Sequence, residues 1–152
     1  MKNTILIRND HARKRTLEGE TTMTAQTGSC LCGSVRFEIT GPMRDVGFCH
    51  CEQRRRTSGH YVAASPCAPD DLSFSKQETL AWFSSSSKAD RGFCRTCGSS
   101  LFWRPVHGRS ISIMAGSLDR PAGLKADVHI HVPLAHDYYT IDDGPPQHRE
   151  PA

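Results

Sequence analysis

The chain has 152 residues, 37% of them hydrophobic, and a net charge of +3. That length suits one domain with a thin apolar core, which a structural metal would reinforce. Residues 1–22 carry five Lys/Arg against three Asp/Glu, leaving the body nearly neutral, so the charge pattern argues against a nucleic-acid surface. No stretch approaches the roughly 18–20 apolar residues of a membrane span, and Ile5-Leu6-Ile7 is too short for a secretory signal. These features, with an odd count of seven cysteines, predict a soluble cytoplasmic protein with reduced thiols and no disulfide framework.

Residues 1–22 are polar, mixed in charge and without periodicity. They read as a disordered extension, or as the product of a start placed too early, with Met23 the first residue. Patterning begins after Met23, so the domain is expected over residues 23–152. Val35, Phe37 and Ile39 alternate with Arg36, Glu38 and Thr40 before Gly41-Pro42, which predicts a half-buried strand. Short apolar runs at residues 61–64, 72–75, 80–83, 101–103, 111–114 and 128–132 predict further strands. Residues 84–87, all serine, read as a polar loop. Only residues 51–58 and 121–125 suit a helical turn. The expected fold class is all-β, built of coiled antiparallel sheets.

Six cysteines fall into three tight pairs: Cys30-Leu31-Cys32, Cys49-His50-Cys51 and Cys94-Arg95-Thr96-Cys97. Sulfurs one or two residues apart can turn toward one ion, and four close a tetrahedral zinc site. Cys30-x-Cys32 and Cys94-x-x-Cys97 are each followed by glycine, Gly33 and Gly98, which permits the positive φ of a zinc knuckle. These two pairs predict a closed four-cysteine site, leaving Cys49 and Cys51 as half of another.

Residues 28–37 (GSCLCGSVRF), 48–51 (FCHC), 55–59 (RRTSG), 92–98 (GFCRTCG) and 100–102 (SLF), with the tail pieces 129–132 (HIHV) and 143–147 (DGPPQ), carry a family resemblance. The sequence resembles the glutathione-dependent formaldehyde-activating enzyme family, whose domain is shared with centromere protein V. The resemblance covers about residues 26–148. It implies a β-tent-type fold and two zincs, the structural one held by Cys30, Cys32, Cys94 and Cys97. It also implies carbon–sulfur lyase chemistry on adducts of a thiol such as glutathione with an aldehyde such as formaldehyde. The family's second zinc takes three cysteines of a Cys-His-Cys-x-x-Cys-Arg motif. The first two match Cys49 and Cys51, but the third position is Arg54.

Arginine has no lone pair to donate and stays protonated, so Arg54 cannot replace that ligand. It would repel a cation and lower the thiol pKa values of Cys49 and Cys51. Three arrangements are compatible with the substitution: weak zinc binding completed by His, water or substrate; an empty site; or a metal-free dithiol. His50 points away from the cysteines in an extended segment and is expected to pack or hydrogen-bond, with rescue of the metal as the alternative. Cys67 reads as a plain thiol, the alternative being a replacement ligand. His129 and His131 share a strand face with His136 nearby, a pattern expected of an exposed face, the alternative being a His-based metal site. Trp82, Phe83, Phe102 and Trp103 are expected in the core or as pocket walls. Arg55, Arg56, Thr57 and Ser58 form either a capped turn or the rim that holds a substrate carboxylate.

Overall fold

The structure, a computed structural model, describes residues 25–151, so expectations for residues 1–22 lie outside the described residues. Two sheets form the domain. The smaller joins β1 (Gln26–Ser29), β2 (Arg36–Ile39) and β5 (Leu72–Lys76) in the order β1-β2-β5. The larger has seven strands, β3 (Val46–Cys49), β4 (Val62–Cys67), β6 (Leu80–Ser86), β7 (Ala89–Cys94), β8 (Ser100–Pro105), β9 (Ile111–Met114) and β10 (Ala126–Ile130), in the order β10-β3-β4-β9-β8-β7-β6. Among the described residues one α-helix, α1 (Glu52–Ser58), follows β3.

Register sorts the large sheet's side chains between two faces, because neighbours in a strand point oppositely. Ser65, Cys67, Ile111, Ile113, Phe102 and Trp82 face the small sheet. There Phe102 receives the edge of Phe37 at 5.1 Å and that of Phe74 at 5.6 Å, and stacks on Trp82 at 6.1 Å. Gly92 sits between Trp82 and Phe102, where a Cβ would lie 2.9 Å from the Phe102 ring. That strand position therefore needs glycine for close ring approach. The opposite face carries Cys49, Val62, Ala64, Pro66, Ser112, Trp103 and Arg91 and is crossed by α1.

Several expectations are corrected. The sheets are not wholly antiparallel, since β10 pairs parallel with β3. Residues 121–125 form no helical turn, because Gly123 sits at φ 69°, incompatible with a right-handed helix. Ser84–Ser86 are not a loop but the end of β6, pairing Ser84 with Asp90 and Ser86 with Ala89; an edge strand tolerates polar residues on its open side. β1, β3 and β7 carry too few alternating apolar residues to stand out in sequence.

Candidate functional site

The first site lies where the knuckles beside β2 and β7 meet. The Cys30, Cys32, Cys94 and Cys97 sulfurs all lie within 4.8 Å of one another. Cys30 Sγ is 3.5 Å from Cys32 Sγ, which is 3.8 Å from Cys94 Sγ. Tetrahedral ligands about 2.3 Å from zinc would have sulfurs about 3.8 Å apart. Gly33 at φ 72° and Gly98 at φ 76° close the turns, with their amides donating to Cys30 O at 3.0 Å and Cys94 O at 2.8 Å. Donors also surround the sulfurs: the Val35 amide reaches Cys30 at 3.2 Å, Thr79 Oγ1 reaches Cys94 at 3.3 Å, and Ser99 Oγ reaches Cys97 at 3.2 Å. The Thr79 hydroxyl lowers the Cys94 pKa, and the Ser99 hydroxyl helps lower that of Cys97 to about 5, while burial raises Cys30. Thiolate-stabilising donors and convergent sulfurs fit a closed metal site.

The second site lies across the large sheet, at the end of β3. Cys49 is buried and paired in register with Val62, and Cys51 is the N-cap of α1. The helix starts because Glu52-Gln53-Arg54-Arg55-Arg56 are all good helix formers, and Glu52 bonds Arg56 one turn on at 2.8 Å. Gly59 ends it at φ 82°, its amide donating to Arg55 O at 2.9 Å. Gln53 docks the helix by donating to Ser85 O at 2.8 Å and accepting from Arg91 Nη2 at 2.8 Å.

Arg54 lies with its guanidinium carbon 5.1 Å from the centroid of Trp103, the cross-strand neighbour of Arg91. Arg91 is 6% exposed, its Nε has no acceptor, and burial and Arg54 lower its pKa. Cys51 is lowered to about 5, first by the Cys49 thiol that donates to it and further by Arg54, while Cys49 is raised by that same contact and by burial. A cleft of about 180 Å³ opens beside the pair, lined by Gly47, Cys49, Arg54, Ala64, Pro66 and Ser112, with Arg44, Asp45 and Asp127 among its other walls.

This second site does not fit a metal. Only two thiols, Cys49 and Cys51, meet there, the Arg54 guanidinium lies close enough to bias both, and Arg91 adds a second cation. Cys67 cannot complete the set: it lies on the opposite face of β4, buried beside Ile111, with its pKa raised to about 11 by burial. His50 also points to that opposite face, as expected, and is fully buried.

There His50 Nδ1 is 2.6 Å from the Tyr139 hydroxyl, and Nε2 is 2.8 Å from His129 Nδ1. His129 Nε2 in turn is 2.9 Å from an Asp143 carboxylate oxygen. The expectation of an exposed His129–His131 face is overturned. His129 is 1% exposed because residues 146–148 run over it, exchanging backbone bonds of 2.8 Å, and His131 turns off at φ 57° and leaves the strand face. His136 bonds Asp137 at 2.6 Å on the surface.

The remaining candidates separate. The Ser58 hydroxyl closes the turn after α1, with Arg54 O and His60 O each at 3.0 Å. Arg55 has its buried Nε without an acceptor and lies close enough to Tyr139 to lower its phenol, which burial raises more strongly. Phe83 is 59% exposed rather than a wall, since it stands on the edge strand's open face. Arg91, Gln53 and Tyr139 escape sequence reasoning altogether. Each acts through a partner 38 to 89 positions away, which no local spacing reveals.

A family model described as glutathione-dependent formaldehyde-activating enzyme matches residues 25–133. A Schizosaccharomyces pombe protein named as an uncharacterized lyase is 30% identical over 83 residues, 55% of this chain. The matched region spans 60% of that relative's length. The crystal structure of a Rhodobacter sphaeroides protein is similar in fold, with a TM-score of 0.53 and 23% identity over 80% of this chain and 98% of that one. With its two-sheet fold, its knuckle cysteines and a match over most of its length, this chain belongs to the glutathione-dependent formaldehyde-activating enzyme family.

Proposed function

We propose that this protein is a zinc-stapled carbon–sulfur lyase acting on thiol–aldehyde adducts of the S-hydroxymethylglutathione kind. Cys30, Cys32, Cys94 and Cys97 would hold the zinc. A closed four-thiolate site supplies folding energy rather than an open coordination position. Chemistry belongs in the cleft beside Cys49, Cys51 and Arg54. Cleaving a hemithioacetal releases a thiolate, and Arg54 and Arg91 offer positive charge there in the place where the family motif has a third cysteine.

The observation that carries the reading is the pairing of a thiol site with two guanidinium groups, neither held by a carboxylate among the described residues. Arginine cannot ligate a metal, but it can stabilise a departing thiolate in a partly dry cleft. The missing third donor favours a second reading, a non-catalytic binding module with a vestigial pocket.

Zinc stoichiometry together with exchange between glutathione, formaldehyde and their adduct, followed by NMR, separates the two. The lyase reading expects one zinc per chain and exchange above the spontaneous rate. A wild type with one zinc and only spontaneous exchange supports the binding module. Arg54→Cys is expected to raise the stoichiometry toward two, and a wild type already holding two zincs overturns this account of Arg54.

A further inference from the structure

Gly47 stands where neither the backbone nor the packing calls for glycine. Among the described residues, five glycines take a positive φ, and four more have a neighbour's side chain where a Cβ would go. Gly47 and Gly116 are left with neither reason. A Cβ on Gly47 would meet Val128 Cγ1 at 3.7 Å and the Ala64 and Val128 carbonyl oxygens at 4.0 Å, which is ordinary contact. Yet the residue lies inside the large sheet, in β3, with β10 on one side and β4 on the other. Glycine at such a position costs stability, and one use that repays the cost is close approach of a ligand to the backbone.

The open side of Gly47 faces the thiol cleft. Gly47 comes two residues before Cys49, so both present the same face, about 7 Å apart along β3. Its register partners Ala64 and Val128 line the cleft with it. The cleft holds about 180 Å³, and a methyl group of roughly a water's share, about 30 Å³, would take a sixth of that. Cys49 and Arg54 lie at one end of this stretch of β3. Gly47, Ala64 and Pro66 form an apolar floor, and Arg44 and Asp45, before the strand, are exposed charged walls.

Resting on the proposed carbon–sulfur reading, we propose that Gly47 is a specificity-determining residue whose bare backbone admits the thiol part of the adduct. The chain it selects is unbranched and extended, and lies flat along β3 from the sulfur beside Cys49 toward Arg44 and Asp45. The substrate class is therefore the adducts of long, peptide-like primary thiols with a polar far end. A side chain at position 47 would lift such a chain off the floor. A thiol as short as 2-mercaptoethanol stops before it spans the roughly 7 Å to Gly47 and does not meet that side chain. Gly47 makes and breaks no bond; it acts on binding alone.

The test adds one methyl group at each of the two unexplained glycines. Gly47→Ala fills the cleft floor, whereas Gly116→Ala adds the same group in the turn Ala115–Ser117, outside this cleft. Gly47→Ala should keep its zinc and a urea midpoint no lower than that of the wild type, because alanine fits there and orders more cheaply than glycine. Its KM for the glutathione–formaldehyde adduct should rise about 10-fold with kcat unchanged, the low end for one methylene too many in a pocket. The KM for the 2-mercaptoethanol adduct should rise less than twofold, and Gly116→Ala should alter neither. A lowered midpoint would assign Gly47 to packing and overturn the proposal, as would equal KM changes for both adducts.

Calorimetric titration with S-methylglutathione, which cannot react, separates this inference from the reading beneath it. Gly47→Ala should bind it about 10-fold more weakly than the wild type does. If that holds while the wild type shows no catalysed exchange, the carbon–sulfur reading ends and the role of Gly47 stands. Catalysed exchange with an unchanged KM ratio ends the role of Gly47 alone. A wild type that neither catalyses exchange nor binds S-methylglutathione ends both.

Discussion

The two cysteine sites have similar sequence spacing and opposite physical character. At the knuckles, four sulfurs converge within 4.8 Å, and hydroxyls and amides support them. At the end of β3, Cys51 is held low by its neighbour Cys49 and by Arg54, Cys49 is raised, and Arg91 lies close by. The first environment gathers negative charge that only a cation can neutralise. The second already contains its cations. Thiol spacing therefore states what can turn toward a common point, and the neighbouring charges decide whether a metal or an arginine sits there.

Breaking the first site should have the largest effect. Structural zinc contributes apparent binding energies on the order of 10 kcal/mol in small domains. A chelator or Cys94→Ser is therefore expected to unfold the domain at room temperature, read by circular dichroism. Cys49→Ser should leave the zinc content unchanged. If it removes zinc as completely as Cys94→Ser, the two sites are not distinct.

A smaller effect is expected from acid. The fold lowers His50 from 6.5 to about 4, so folding favours its neutral form. The unfolded chain then binds the extra proton between those values. Stability should be full above pH 6.5, fall as pH drops, and level off below about 4, with a slope of up to about 1.4 kcal/mol per unit. Urea midpoints should therefore fall by roughly 2 kcal/mol in stability from pH 7 to pH 5. His50→Gln should flatten that slope; an unchanged slope would place the acid sensitivity elsewhere.

The thiols themselves give a finer measure. With zinc in place the knuckle sulfurs should resist iodoacetamide, and Cys51, lowered to about 5, should alkylate with a midpoint near that value. Arg54→Gln should raise the midpoint by about one unit, since one nearby charge is worth that order. A wild-type midpoint in the ordinary thiol range would remove the electrostatic contrast. The smallest change concerns the stack of Arg54 on Trp103: Arg54→Gln should cost below about 1 kcal/mol of stability, because a half-exposed cation–π contact is weak.

Much of the fold was legible. The alternation of Val35, Phe37 and Ile39 marks β2, and the runs at residues 72–75 and 111–114 fall inside β5 and β9. β3 and β7 were hidden because glycines break the apolar pattern of VGFC and ADRGFC. The parallel β3–β10 pairing was hidden because it joins segments about 80 residues apart, as Ala126↔Val46 illustrates. At the sites, the knuckles announce themselves in a few adjacent residues. The burial of His129 does not, since a later segment covers it.

The amino-acid sequence alone determined the three thiol pairs, the glycines that close the knuckles, and the arginine three residues after Cys51. Those are local matters of donor chemistry and backbone freedom. Tertiary structure decided that Cys67 faces away from the pair and that Arg91 comes to lie under α1. It also joined His50 to Tyr139, His129 and Asp143 in one chain. Strand register assigns each side chain to a face, and long-range packing excludes water from that face. Both depend on partners tens of residues distant, which local sequence cannot encode.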